Sequence, residues 1–148
     1  MEKEPVYILL ADDDEDDRLI FKEAFKELMI NIQVKTVNDG LELMNYLSKP
    51  GTNLPHILFL DLNMPRKTGI ECLTEIKTID YLNKIPIAIY STSSSEDDIS
   101  ETYVKGANIY IKKPNNFLSL KKVLEKVIAT NWQYQTSGLN KGNYYISL

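Results

Sequence analysis

The sequence predicts an α/β fold in which five βα units build one parallel sheet with helices on both faces. Three observations carry this. Short apolar runs alternate with amphipathic stretches five times along the chain. Two of the runs, Ile8-Leu9-Leu10-Ala11 and Ile57-Leu58-Phe59-Leu60, are apolar throughout, as strands buried on both faces require. The residues that end the runs are polar and chemically distinctive: Asp12-Asp13-Asp14, Asp61, Ser91 and Lys112-Lys113.

Taken in order, Val6–Ala11 reads as a buried strand. Asp14 is placed to cap a helix whose apolar positions, Ile20, Phe21, Ala24, Phe25 and Leu28, recur at helical spacing. Ile32–Val37 is a second strand, with Ile32, Val34 and Thr36 set against Gln33, Lys35 and Val37. Asn38-Asp39-Gly40 turns into a short helix carrying Leu43, Met44 and Leu47, and residues 48–55 form a loop by composition. His56–Leu60 is the third strand. The Pro65–Gly69 loop leads to a helix with Cys72, Leu73 and Ile76 on one face. Ile85–Tyr90 is the fourth strand, and Ser95 with Asp98 has capping-box spacing for the weakly apolar helix that follows, which Gly106 ends. Ile109–Lys112 is the fifth strand. Phe117, Leu120, Leu124, Val127 and Ile128 mark a last helix within residues 116–130.

The remaining segment, Asn131–Leu148, holds Trp132, Tyr134, Tyr144, Tyr145, Ile146 and Leu148 around a turn-like centre. It is too aromatic for a plain disordered tail and is expected either to fold back on the domain or to dock on a partner. Residues 5–130 are thus expected to form one domain and 131–148 a C-terminal extension, with no separate output domain.

Composition narrows the function classes. A chain of 148 residues with 43% apolar content sustains one ordinary core. A net charge of −4 and a pI near 5.1 argue against non-specific nucleic-acid binding, which needs a dense basic face. Cys72 is the single cysteine, so no internal disulfide is possible; on an apolar helical stripe it reads as a buried, inert thiol. No apolar run approaches the ~18 residues of a membrane span, and the first residues lack a secretory pattern, so a cytoplasmic protein is expected.

Ligands of such sheets bind outside the carboxyl ends of the strands, and all of the distinctive polar residues lie there. If the first and third strands are parallel neighbours, Asp12, Asp13 and Asp61 converge. Three carboxylates in one pocket repel one another, so they either take up protons or hold a hard cation. Oxygen ligands suit Mg²⁺. Cation, carboxylate nucleophile, hydroxyl and lysine together make a phosphoryl-transfer site.

These residues resemble the receiver domain of bacterial two-component response regulators, over about residues 5–130. The stretch Tyr90-Ser91-Thr92-Ser93-Ser94, then Glu96-Asp97-Asp98-Ile99 and Tyr103-Val104-Lys105-Gly106-Ala107-Asn108, is similar to the single-domain regulators associated with cyanobacterial phytochromes. So is the long loop before His56. The resemblance implies a flavodoxin-like sheet of strand order 2-1-3-4-5. It implies that Asp61 accepts a phosphoryl group from a histidine kinase phosphohistidine in a Mg²⁺-dependent reaction. Asp13 would bind the metal directly, Asp12 through a metal-bound water, and Asn63 by its backbone carbonyl. Ser91 and Lys113 would bind the transferred group, the Lys113–Pro114 peptide would be cis, and Tyr110 would be the aromatic that changes rotamer as Ser91 moves. The implied partners are a sensor histidine kinase and a downstream target or phosphotransfer protein, with a homodimer through the last strand and helix. The protein would be a phosphoacceptor switch in a phosphorelay, with self-phosphorylation and self-dephosphorylation chemistry but no turnover of a separate substrate.

Other readings use the same residues. Asp12, Asp14, Asp16 and Glu23 fit positions one, three, five and twelve of a calcium loop. Position six, however, needs a glycine where this chain has Asp17, and a helix should precede the loop. A phosphatase with Asp61 as nucleophile would want a general acid two residues on, where Asn63 stands. A degenerate receiver that binds partners without phosphorylation is the plainer alternative.

Overall fold

The computed structural model describes residues 5–28, 31–129 and 144–147. In chain order the elements are β1 (Val6–Ala11), α1 (Glu15–Glu27), β2 (Ile32–Val37), α2 (Gly40–Ser48), β3 (Ile57–Leu60), α3 (Gly69–Thr78), β4 (Ile87–Ser91), α4 (Glu96–Val104), β5 (Ile109–Lys112), α5 (Phe117–Ala129) and β6 (Tyr145–Ile146). The sheet order is β2-β1-β3-β4-β5-β6, and every pairing is parallel. The five expected strands and their order are present. The sixth strand, which the five-strand expectation did not include, adds the segment at Tyr145–Ile146 to the edge of the same sheet. Residues 131–143, the greater part of the aromatic extension, lie outside the described residues.

Side-chain alternation along each strand splits the core into two layers. Leu9, Ala11, Leu58, Leu60, Ile87 and Ile89 face Leu43, Leu47, Cys72, Leu73, Ile76 and Ile99, so α2, α3 and α4 cover one face. Ile8, Leu10, Ile57, Phe59, Ala88 and Tyr90 face Phe21, Ala24, Phe25, Leu120, Val123, Leu124 and Val127, so α1 and α5 cover the other. The rings of Phe21, Phe25, Phe59 and Tyr90 meet edge to face at 5.0–6.4 Å between centroids, a favoured geometry for aromatic pairs. With both faces covered, β1, β3 and β4 have no use for polar residues until they emerge at their C-terminal ends.

The helix starts follow from their caps. The Asp14 carboxylate accepts the Asp17 N–H at 2.9 Å, as its assignment to capping requires. Thr68 and Glu71 form a full capping box at α3. The box expected at α4 is only half formed. Ser95 accepts the Asp98 N–H, but the Asp98 carboxylate takes the Ser93 hydroxyl instead, at 2.6 Å, and Ser95 N–H donates to Ser93 Oγ. β4 begins at Ile87 and not at Ile85, because Ile85 N–H closes a turn onto Leu82 and Pro86 has no N–H to give a ladder. It runs on through Ser91, whose carbonyl accepts Lys113 N–H at 2.8 Å. His56 has a structural place at the other end of the sheet, where its Nδ1 accepts the Tyr7 N–H and its ring stacks on that of Tyr7. Among the described residues, no helix is long and apolar enough to cross a membrane.

Candidate functional site

The register of the sheet determines which carboxylates meet. Ala11 pairs with Leu60 across β1 and β3, so Asp12 and Asp61 leave the sheet side by side, with Asp61 N–H bonded to Ala11 O at 3.0 Å. Asp12, Asp13 and Asp61 each offer a carboxylate oxygen, and these oxygens lie within 4.8 Å of one another. Asp12 and Asp61 are buried and Asp13 is exposed, which opens the cluster to solvent on one side. Across β4 and β5, Ser91 pairs with Lys112, which brings Lys113 over the same end of the sheet.

Lys113 lies 2.9 Å from Asp12 Oδ2, 2.8 Å from Asp17 Oδ2 and 3.5 Å from Asp61 Oδ2, and its ammonium sits 5.2 Å from the centre of the Tyr90 ring. Burial opposes its charge, but the neighbouring carboxylates of Asp12, Asp17 and Asp61 outweigh burial and hold its pKa above the ordinary lysine range. The Lys113–Pro114 peptide, expected cis, is trans. Trans is the lower-energy form of an X–Pro bond, and the long lysine side chain reaches all three carboxylates from it.

Asp61 behaves differently from its partner. Burial pushes its pKa up to about 6; Lys113 and the Asn63 backbone N–H pull it down, while Asp12 and Asp13 push it further up. Asp12 is the more constrained. Its Oδ1 accepts the Asp14 N–H at 3.0 Å, whereas the buried Oδ2 is close enough to Lys113 for an ion pair but is not aligned for a hydrogen bond with any group. A buried carboxylate oxygen without a directed donor, facing two more carboxylates, is a donor set that fits a hard divalent cation. The loop carrying it is pinned from outside by Arg18, whose Nη1 donates to Asp12 O at 2.8 Å.

The β3–α3 loop is shaped by two residues. Gly69 packs directly on the backbone of Asp61 and Leu62, leaving no room for a Cβ, and its N–H donates to Leu62 O at 2.9 Å. Arg66 takes φ +69°, and its guanidinium reaches the Asp39 carboxylate at 3.4 Å. Asn63, between them and Asp61, is exposed.

Ser91 and Tyr110 are joined through one intermediate residue. Ser93 N–H donates to Ser91 Oγ at 3.1 Å, and Ser93 O accepts the Tyr110 hydroxyl at 2.9 Å. The Tyr110 side chain is wholly buried, and burial pushes its pKa up against hydrogen bonding to Ser91 and Ser93. Tyr144 and β6 pack against it. Tyr144 and Tyr145 pack their rings 6.2 and 5.8 Å from that of Tyr110, Tyr110 N–H donates to Tyr144 O, and the buried Tyr144 hydroxyl donates to Thr102 Oγ1 of α4 at 2.7 Å.

The structure therefore gathers Asp12, Asp13, Asp61 and Lys113 at one point and sets Ser91, linked to Tyr110, at the end of the neighbouring strand. Sequence reasoning did not find Asp17, Arg18 or Tyr144. Asp17 and Arg18 look like ordinary members of a charged first turn. For Tyr144 the aromatic clustering of the tail was a signal, but its partner was not. The calcium-loop reading fails here. A strand, not a helix, precedes the acid run, and Asp17, where the sharp-turn glycine is needed, is already in α1.

Known proteins resemble this chain over most of its length. The family model described as "Response regulator receiver domain" matches residues 8–125. The chain is 34% identical over 127 residues to the response regulator Rcp1 of Synechocystis sp. (strain ATCC 27184 / PCC 6803 / Kazusa), covering 83% of this chain and 86% of that one. It is 32% identical over 128 residues to the "Probable methanogenesis regulatory protein FilR2" of Methanothrix harundinacea (strain 6Ac), covering 84% and 83% of the two chains. Among solved structures, the Mn²⁺-bound form of Rcp1 superposes with a TM-score of 0.77 at 33% identity, over 85% of this chain and 94% of that one. The phosphorylated cyanobacterial phytochrome response regulator RcpA does so with a TM-score of 0.79 at 33% identity, over 93% and 98%.

Proposed function

This chain belongs to the response regulator receiver domain family, and from that premise we propose that Asp61 is its phosphoacceptor. It is a CheY-like receiver of two-component signalling, homologous to phytochrome response regulators. The observation that carries the assignment is the position of Asp61, within reach of Asp12, Asp13 and Lys113 at the carboxyl end of the central strand.

In this reading a carboxylate oxygen of Asp61 forms a bond to phosphorus as the bond from phosphorus to the imidazole nitrogen of a kinase phosphohistidine breaks. The electron pair leaves with the imidazole, which takes up a proton from solvent. Asp12, Asp13 and Asp61, with the Asn63 carbonyl, would hold Mg²⁺, which supplies positive charge to the phosphoryl oxygens. Lys113 stands ready to pair with the transferred group, and the Ser91 hydroxyl to hydrogen-bond it. Water attacking phosphorus later returns Asp61 as the free carboxylate and releases inorganic phosphate. The chain is thus a signalling protein that reacts on itself, without turning over a separate substrate.

Phosphorylation adds about −1.5 to −2 charge at the end of β3. A Ser91 drawn toward that charge pulls on Ser93, and through it on Tyr110 and on Asp98 of α4. The output would be the surface of α4, β5 and α5, offered to a downstream protein or phosphotransfer partner in the cytoplasm. Any homodimer through this face would meet β6 and α5, because β6 occupies the β5 edge.

The test is intact mass after incubation with a small-molecule phosphodonor, with and without Mg²⁺, beside Asp61→Asn. A Mg²⁺-dependent phosphoryl adduct that the variant lacks is expected. Absence of an adduct from a genuine phosphohistidine donor as well would leave a receiver that binds partners without phosphorylation.

A further inference from the structure

Lys113 has three carboxylate neighbours, and one of them has no part in the phosphoryl site. Asp12 and Asp61 belong to the cluster able to hold a cation. Asp17 does not: it lies in the first turn of α1, and among the described residues only Asp12, Asp13 and Asp61 form such a group. Yet the hydrogen bond from Lys113 to Asp17 is its shortest, at 2.8 Å against 3.5 Å to Asp61. The Asp17 backbone is fixed by the Asp14 cap, and its carboxylate accepts the hydrogen bond from Lys113.

Resting on the reading of Asp61 as phosphoacceptor, we propose that Asp17 is a positioning residue that holds the Lys113 ammonium away from Asp61 and competes with the phosphoryl group for it. The competition sharpens when the site is loaded. A cation bound by Asp12 weakens the hold of Asp12 on Lys113, because its carboxylate charge is then shared. Asp17 becomes the remaining carboxylate that Lys113 must leave to meet a phosphoryl oxygen. Its strength sets how firmly the modified site is held, and hence how long the acyl phosphate persists.

The size of the effect follows from exposure. The Asp17 side chain is 36% exposed while that of Lys113 is 10% exposed, so the pair is a half-exposed ion pair. Such pairs contribute a few tenths to about 1 kcal/mol, which at 1.4 kcal/mol per tenfold is a change of about two- to fivefold in an equilibrium constant. Asp17→Asn is therefore expected to bind beryllofluoride, a mimic of the phosphoryl group, about two- to fivefold more tightly at saturating Mg²⁺, and to lengthen the acyl-phosphate half-life in proportion.

Asp16→Asn is the control, because it removes the same charge from an exposed position in the same turn. It should change affinity by less than about 1.5-fold, since exposed charges are largely screened. Asp17→Glu keeps the charge and should return affinity most of the way to that of the unmodified protein. Fluorine NMR of bound beryllofluoride reads all four proteins, with thermal melts confirming that each is folded. Unchanged or weaker binding by Asp17→Asn, or an equal gain from Asp16→Asn, would overturn the proposal. Failure of the unmodified protein to bind beryllofluoride would instead remove the phosphoacceptor reading on which it rests.

Discussion

Replacing Asp61 with asparagine should make the metal-free protein more stable at neutral pH while abolishing its chemistry. The reason is the position of Asp61 beneath two other carboxylates. Burial, Asp12 and Asp13 raise its pKa from 3.8 to about 6 despite the opposing pull of Lys113. The folded state thus holds a proton on Asp61 in a window where the unfolded chain has released it. A carboxyl raised in this way favours the fold most below its unfolded pKa and loses that advantage as pH rises through about 6. Above pH 6 the ionised Asp61 burdens the fold. At 1.36 kcal/mol per pKa unit, a rise of about two units is worth up to about 3 kcal/mol. Asparagine carries no such charge, and Lys113 keeps Asp12 and Asp17. For a domain of this size, about 1.5–3 kcal/mol is a melting temperature higher by roughly 3–12 °C. The assay is thermal unfolding of both proteins from pH 4.5 to 8 in a chelating buffer, and again with Mg²⁺. The gain should be full at pH 7.5, shrink below pH 6 and narrow with Mg²⁺, which stabilises the form that binds it. A gain that is absent at pH 7.5, or equal at pH 4.5 and 7.5, would refute the reasoning.

Three further outcomes follow from packing. Gly69→Ala would drive a Cβ into the Asp61 carbonyl and the Leu62 backbone, so a loss of about 1–3 kcal/mol in urea unfolding is expected, together with loss of the phosphoryl adduct. Tyr144→Phe removes the buried hydroxyl that donates to Thr102, whose own hydroxyl still reaches Asp98 O. The loss should be about 1 kcal/mol, read as a melting point roughly 2–4 °C lower. Burial pushes the Cys72 thiol up to about 12, so iodoacetamide at pH 8 should label it only as fast as the protein unfolds; rapid labelling of the folded protein would contradict its place between α2 and α3.

Much of this molecule was legible because its strands are short, apolar and end abruptly. Ile57-Leu58-Phe59-Leu60 is buried at every position, so the first charged residue after it has to leave the sheet, and Asp61 does. The same logic places Asp12, whereas β5 keeps Lys112 within the strand and delivers Lys113 one residue later. Local rules failed where two groups competed for one partner. Asp98 has the spacing of a capping-box member, but Ser93, five residues back, offers a hydroxyl at 2.6 Å, and the box is half formed. Asp17 could not be read as a lysine partner because its bond to Lys113 joins residues 96 positions apart. Tyr144 posed the same difficulty: its aromatic character argued for burial somewhere, but periodicity carries no information about a two-residue strand.

That short strand also protects the sheet. Without β6, one side of β5 would present unpaired amide and carbonyl groups beside the rings of Tyr103 and Tyr110, an edge able to template pairing with other chains. β6 fills this position with a strand too short to serve as a good template itself, and behind it seals Tyr110 from water. A fragment ending at residue 130 would keep every residue proposed for the phosphoryl site and lose this guard. Such a fragment is expected to keep the proposed chemistry while exposing an edge that can pair with other chains, so its aggregation should rise where its reaction does not change.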